Sequence, residues 1–273
     1  MVDIACFRTG HCRHPSHMTL TGSGLAPRTY HAHAYLLRTA RGNVLFDTGY
    51  ATHFHAASAQ GIYRLYPLVT PATLAAPLHD QLLAHGIDPA SIAAVIVSHF
   101  HADHVAGLLD FPQARIVCAG DAWRGVRGRS GLPAVRRAFL PGLMPGDVQD
   151  RLDLLEPAQA MPLPADFAPF AHGWDLGGGD LFAVPLPGHA EGQIGLFART
   201  AAGWTLLAAD AAWHNESLAT PRGPSRLTFL VQHDRRAYND TLERLRALHA
   251  RGQVRIRLSH DDEPDRAAPE AIA

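Results

Sequence analysis

The stretch Ser98-His99-Phe100-His101-Ala102-Asp103-His104 constrains this chain more than any other. It packs three imidazoles and a carboxylate into six positions, directly after the apolar run Ile92-Ala93-Ala94-Val95-Ile96-Val97. A short apolar run rich in β-branched residues that stops abruptly at polar ones reads as a buried strand. Side chains alternate along an extended backbone, so His99, His101 and Asp103 share one side as the chain leaves the strand. His104 comes round as the chain turns toward Gly107. The outcome is a cluster of nitrogen and oxygen donors at the end of a rigid element. Such a set suits zinc and, to a lesser degree, iron or manganese. The alternative is a solvated His-rich loop, which accounts neither for the aspartate inside the cluster nor for the strand before it.

At 273 residues, 47% hydrophobic and 18% charged, the chain is long enough for one large core, in one domain or two fused halves. A formal net charge of -1 gives no electrostatic footprint for nucleic acid. No stretch is apolar for long enough to span a bilayer, and the N-terminus lacks the basic start and apolar core of a signal peptide. Cys6, Cys12 and Cys118 are too few and too scattered for a disulfide framework, which places the protein in the reduced cytoplasm. Cys6 and Cys12 lie near His11, His14 and His17, but no second ligand pair follows at finger-like spacing. The expectation there is a mobile N-terminal segment.

Along the chain, Ile4 to Arg8 reads as a short first strand and His11 to Tyr30 as loop. His33 to Arg38 and Asn43 to Asp47 flank Thr39-Ala40-Arg41-Gly42 and predict a β-hairpin. The hairpin ends in Asp47-Thr48-Gly49, where Asp47 is expected to brace the ligand loop as a hydrogen-bond acceptor rather than to bind metal. Tyr50 to Val69 carries aromatic residues without periodicity and reads as loop, so Tyr63 and Tyr66 are candidates for a substrate pocket and equally for core cover. Thr70-Pro71 opens a predicted helix with Leu74, Leu78 and Leu82 on one face, ending at Gly86. Ala114 to Ala119 predicts another strand. The arginines between Gly120 and Pro145 read chiefly as a solvated face, with the lesser reading that one meets an anionic part of a substrate. Pro157 to Pro169 is a connector between the two halves.

The second half repeats the logic of the first. Leu181 to Val184, Gln193 to Ala198, Trp204 to Ala209 and Val254 to Leu258 read as strands. Asp234 to Arg251 reads as an amphipathic helix with Tyr238, Leu242, Leu245 and Leu248 on one side and Gly252 past its end. Four separate strands lead into His or Asp: the 99–104 cluster, His189, Asp210 and His260. Singly, a His after Pro-Gly is a turn residue and an Asp after a strand is a cap. Together they complete the coordination of two metals.

Asp47-Thr48-Gly49, His99-x-His101-x-Asp103-His104, Pro187-Gly188-His189, Asp210 and His260 stand in the order and at the spacing of the metallo-β-lactamase superfamily, which the chain resembles over most of its length. The resemblance implies a four-layer αββα sandwich of α/β (α+β) class, a single domain over 1–273 built of two αββ halves, approximately 1–160 and 161–273. By position, His99, His101 and His189 hold a first zinc ion, Asp103, His104 and His260 a second, and Asp210 bridges them. The family places a hydroxide between the metals. Two such cations lower the pKa of a bridging water and polarise the substrate oxygen, and Asp103 can shuttle the proton as the catalytic residue. Within the superfamily the chain is most similar to the N-acyl homoserine lactone lactonases and related quorum-quenching hydrolases. It departs from them at Trp213, where they often carry a tyrosine. An indole N–H can donate a hydrogen bond but cannot act as an acid, so Trp213 is a candidate pocket wall.

The function this resemblance implies is dinuclear zinc hydrolysis of a lactone or related ester. The partner is a small-molecule ester or lactone, with no nucleic acid and no membrane, and the reading is compatible with a homodimer. The runner-up keeps the metals and changes the bond, as a thioesterase of glyoxalase II type or an organophosphate triester hydrolase. A reading of another class is a non-catalytic metal-containing binding protein.

Overall fold

The computed structural model describes residues 1–230 and 232–261. Its strands are β1 (Asp3–Pro15), β2 (Pro27–Thr39), β3 (Gly42–Phe46), β4 (Ala72–Leu74), β5 (Ile92–Ile96), β6 (Arg115–Ala119) and β7 (Leu152–Leu155), then β8 (Met161–Pro162), β9 (His172–Asp175), β10 (Leu181–Pro185), β11 (Ile194–Thr200), β12 (Gly203–Leu207) and β13 (Val254–Arg257). The first seven form one sheet in the order β4-β1-β2-β3-β5-β6-β7, and the last six a second in the order β13-β12-β11-β10-β9-β8.

The second sheet shows why its strands read as continuous apolar runs. Leu181, Ala183, Leu196, Ala198 and Leu207 face the core shared with the first sheet. Their neighbours Phe182, Val184, Phe197 and Leu206 face a second core under the Arg235–Arg251 helix. Side chains of period two with both faces buried give an unbroken hydrophobic string. The helix closes that outer layer with Tyr238, Leu242, Leu245 and Leu248, all buried. Its cap, Asp234, accepts hydrogen bonds from the N–H groups of Arg236 and Ala237, and Gly252 ends it in the left-handed region. The layers are those of the αββα sandwich.

Three expectations are corrected. The first strand runs to Pro15 rather than Arg8, because β2 extends back to Pro27 and pairs with it throughout, past an irregularity between Arg8 and Gly10. The segment is therefore ordered, and Cys12 is buried in it. The predicted helix from Thr70 is instead β4, in which Leu74 pairs with Gly10, followed by a helix over Leu78–Ala84. Pro77 separates the two, since a proline interrupts helical hydrogen bonding. The stretch 50–69 is mainly short helices at His53–Ser58, Gly61–Arg64 and Leu65–Val69 rather than loop. No helix among the described residues is long and apolar enough to cross a membrane.

Candidate metal centre

The site lies where strand ends of both sheets meet. β5 delivers Ser98 to His104, whose last part is a helical turn over Ala102–Val105. The N–H of Ile194 donates to the carbonyl of Ser98 at 3.0 Å, tying the second sheet to this loop. The N–H of Ser259 donates to the carbonyl of Ala209 at 3.2 Å, holding the segments of Asp210 and His260 side by side.

Asp47-Thr48-Gly49 fixes the ligand loop from beneath. Asp47 Oδ1 accepts from the Ser98 N–H at 2.8 Å, and Oδ2 accepts from Ser98 Oγ at 2.7 Å. Asp47 Oδ2 is also 2.8 Å from His104 Nδ1. Thr48 Oγ1 donates to the His104 carbonyl at 3.0 Å and accepts from the Gly107 N–H at 3.1 Å. Gly49 has φ +67°, and a Cβ there would stand 2.0 Å from Thr9 Oγ1, so only glycine lets the strand end pass. Asp47 (φ 59°) and Ala209 (φ 47°) are non-glycine residues held in the left-handed region beside the site. Such strain persists where the surrounding structure over-determines it. On the other side, Gly188 lies against the backbone of Tyr238, and its carbonyl accepts from the Asp234 N–H at 2.9 Å. This seats the His189 turn on the start of the long helix.

The seven predicted side chains come together. His99, His101 and His189 form one group of donor atoms within 4.8 Å of one another, as do His99, His104 and Asp210, and also Asp103, His104 and His260. His99, His104, His189, Asp210 and His260 are buried, and Asp103 is 9% exposed.

Whether this set fits a cation depends on where its protons lie. A carboxylate or carbonyl oxygen only accepts, so an imidazole nitrogen facing one through a hydrogen bond carries the hydrogen. His104 Nδ1 therefore donates to Asp47, and His260 Nδ1 donates to the His31 carbonyl at 2.7 Å. In a neutral ring this leaves each Nε2 as a lone pair. Yet His260 Nε2 is 2.8 Å from Asp210 Oδ2, and His104 Nε2 is 3.2 Å from Asp210 Oδ1. His189 Nε2 and His101 Nδ1 meet at 2.9 Å. Among the described residues, His99 Nε2, His104 Nε2 and Asp210 Oδ1 are buried without a hydrogen-bond partner. Electron-rich atoms converging in a buried site call for positive charge between them, and nitrogen and oxygen donors are what zinc-type cations take. The donor set fits.

The electrostatics divide the imidazoles into two sets, three lowered by burial and two raised by the carboxylates beside them. Burial, joined for His99 by its imidazole neighbours, holds His99 and His189 well below the ordinary imidazole range and brings His101 down to about 4. Unprotonated nitrogen is the form that binds metal. Burial also pushes His104 and His260 down, but Asp210 and Asp103 outweigh it and raise both. Burial alone would raise Asp210, and His260, His104 and His189 reverse this and hold it well below the carboxylate range.

Trp213 donates from Nε1 to Asp210 Oδ2 at 3.2 Å, with its ring 5.5 Å from His189 and 5.9 Å from His260. Tyr66 is buried in the first core with its ring 5.7 Å from Phe54. Tyr63 accepts at its hydroxyl from the Gly131 N–H at 2.9 Å. A cavity of about 230 Å³ opens beside His101 and His189, with Phe100, Arg136, Glu191 and Gln232 in its wall. Sequence reasoning missed Tyr30, whose ring packs edge-on against His260 at 6.3 Å and tilted against Trp213 at 6.1 Å. The alternation Tyr30-His31-Ala32-His33-Ala34-Tyr35 was the available signal.

The family model of the metallo-beta-lactamase superfamily matches residues 28–251. A probable metallo-hydrolase of Mycobacterium tuberculosis is 26% identical over 254 residues, covering 85% of this chain and 74% of its own. The N-acyl homoserine lactonase AttM of Azorhizobium caulinodans is 30% identical over 189 residues, covering 66% of this chain and 62% of its own. Among solved structures, a quorum-quenching N-acyl homoserine lactone lactonase superposes with a TM-score of 0.71 at 18% identity, covering 98% of this chain and 97% of that one. With its sandwich fold and its cation-ready donor set in place, the chain belongs to the metallo-β-lactamase superfamily.

Proposed function

We propose that this metal-dependent hydrolase holds two zinc ions and opens a lactone or related ester. The observation that carries the reading is the overlap of the three donor groups, with His99 and His104 each common to two. One ion is assigned to His99, His101 and His189, the other to Asp103, His104 and His260, with Asp210 between them. When bound, the ions supply Lewis-acid polarisation of the carbonyl and acidify water.

The chain's own residues supply the rest. Asp103 is the least buried of the carboxylates in the nest, with Oδ2 3.7 Å from both His104 Nε2 and His260 Nε2. From there it takes the proton of the attacking water and returns it to the leaving alkoxide. Asp47 and the His31 carbonyl hold His104 and His260 in the tautomer that turns Nε2 inward. Trp213 orients Asp210 and walls the site. The absence of disulfides among the described residues suits a reduced cytoplasm. The lactone reading draws on the lactonase relative. Its test is a panel on zinc-replete protein: acyl lactones, aryl esters, thioesters and a phosphotriester. The highest kcat/KM is expected on a lactone or ester. A thioester or triester preferred over both would move the substrate class, and no turnover of any would leave a metal-containing binder.

A further inference from the structure

The cavity beside His101 and His189 carries chemistry that the metal nest does not use. Gln232 is 9% exposed, yet its Nε2 and Oε1 have no hydrogen-bond partner among the described residues. A buried amide left unsatisfied is costly, and in a cavity wall it is a recognition element. Two guanidinium groups share the wall with one carboxylate. Arg137 is ion-paired to Glu191, whereas Arg136 is exposed at the rim. Among the described residues, no ion pair or hydrogen bond engages the Arg136 guanidinium. The lining thus has an uncompensated positive charge and an unsatisfied amide, and Phe100 and Val126 add apolar wall to the same cavity.

We propose that this cavity is a subsite for a carboxylate-bearing arm of the substrate, with Arg136 and Gln232 as its specificity-determining residues. The proposal rests on the ester or lactone hydrolase reading above. The planar fork of Arg136 matches a carboxylate, and Gln232 Nε2 donates to it a further hydrogen bond. Gln232 Oε1 takes an N–H, O–H or water beside that group. Glu191 neutralises Arg137 and repels a second anion, so the carboxylate is directed to the Arg136 end.

The test compares 4-nitrophenyl hydrogen adipate with methyl 4-nitrophenyl adipate, which share the reacting ester and chain length and differ by one charge. The anionic ester is expected to have a kcat/KM about tenfold higher, the scale of one charge-assisted contact. Arg136→Gln and Gln232→Ala should each pull that ratio toward one, and Arg115→Gln, on an exposed arginine paired with Asp153, should leave it unchanged. A ratio of one or below in the parent, or one that neither cavity variant moves, overturns the subsite. If neither ester is turned over, the hydrolase reading fails on esters, and titration calorimetry with monomethyl adipate judges the subsite alone. Binding that Arg136→Gln weakens about tenfold supports it, and no binding, or binding indifferent to that change, overturns it.

Discussion

The metal nest and the cavity that opens onto it are built by opposite means. In the nest, Asp47 has hydrogen-bond partners at both oxygens, and the backbone is held in strained conformations at Asp47 and Ala209. Among the described residues, His99 Nε2, His104 Nε2 and Asp210 Oδ1 have no hydrogen-bond partner, and these three residues converge as one donor group. In the cavity wall, Gln232 and Arg136 are side chains without a partner among the described residues, and Arg137 with Glu191 is a partly exposed pair. Reaction chemistry is preorganised by backbone and buried carboxylates, whereas selectivity is left to side chains that meet the ligand. Substitutions in the nest should therefore reduce turnover of every substrate, and those in the cavity should change the ranking of substrates.

The largest effect expected is from Asp103→Asn, which keeps the shape and removes the base. Turnover of any ester or lactone should fall by roughly 10²–10⁴-fold, with part of the metal retained. Near-normal steady-state rates would remove Asp103 from proton transfer. Asp47→Ala takes away the acceptor for the Ser98 N–H, Ser98 Oγ and His104 Nδ1 without touching a donor to the ions. Metal affinity, read by chelator competition, should drop by roughly 10–100-fold. Unchanged affinity would show that the nest does not depend on its brace.

The smallest effect falls at the joint between the two regions. Asp234 caps the long helix, and its own N–H supports the Gly188 carbonyl just ahead of His189. Asp234→Ala should lower the thermal midpoint by roughly 2–4 °C at neutral pH. The N–H groups of Ala237 and Arg236 hold the Asp234 carboxyl below its usual range. The stabilisation is therefore complete above the unfolded value of about 3.9 and is lost as pH falls through the folded one. The parent and variant melting curves should converge on the acid side, and a gap that persists there would point to a cause other than the cap.

What was legible in the sequence follows from where the chemistry is contiguous. The 98–104 cluster could be read because its residues are neighbours and a β-branched strand precedes them. The second-sheet strands could be read because both faces are buried. The extension of β1 and β2 could not, because residues 11–14 and 28–31 are polar and are paired across strands at the edge of the site. Polar pairing there looks like loop in one dimension. The helix predicted from Thr70 failed because Leu74, Leu78 and Leu82 kept helical spacing across Pro77, which divides a strand from a helix. Tyr30 against Trp213 and His260, and Gln232 beside His189, depend on tertiary closure and have no local signature.

The proposed centre requires that strand ends from two sheets close around two cations. Elemental analysis of protein reconstituted with zinc and freed of loosely held metal measures this directly. About two zinc ions per chain are expected. A value below one in folded protein would contradict the dinuclear centre.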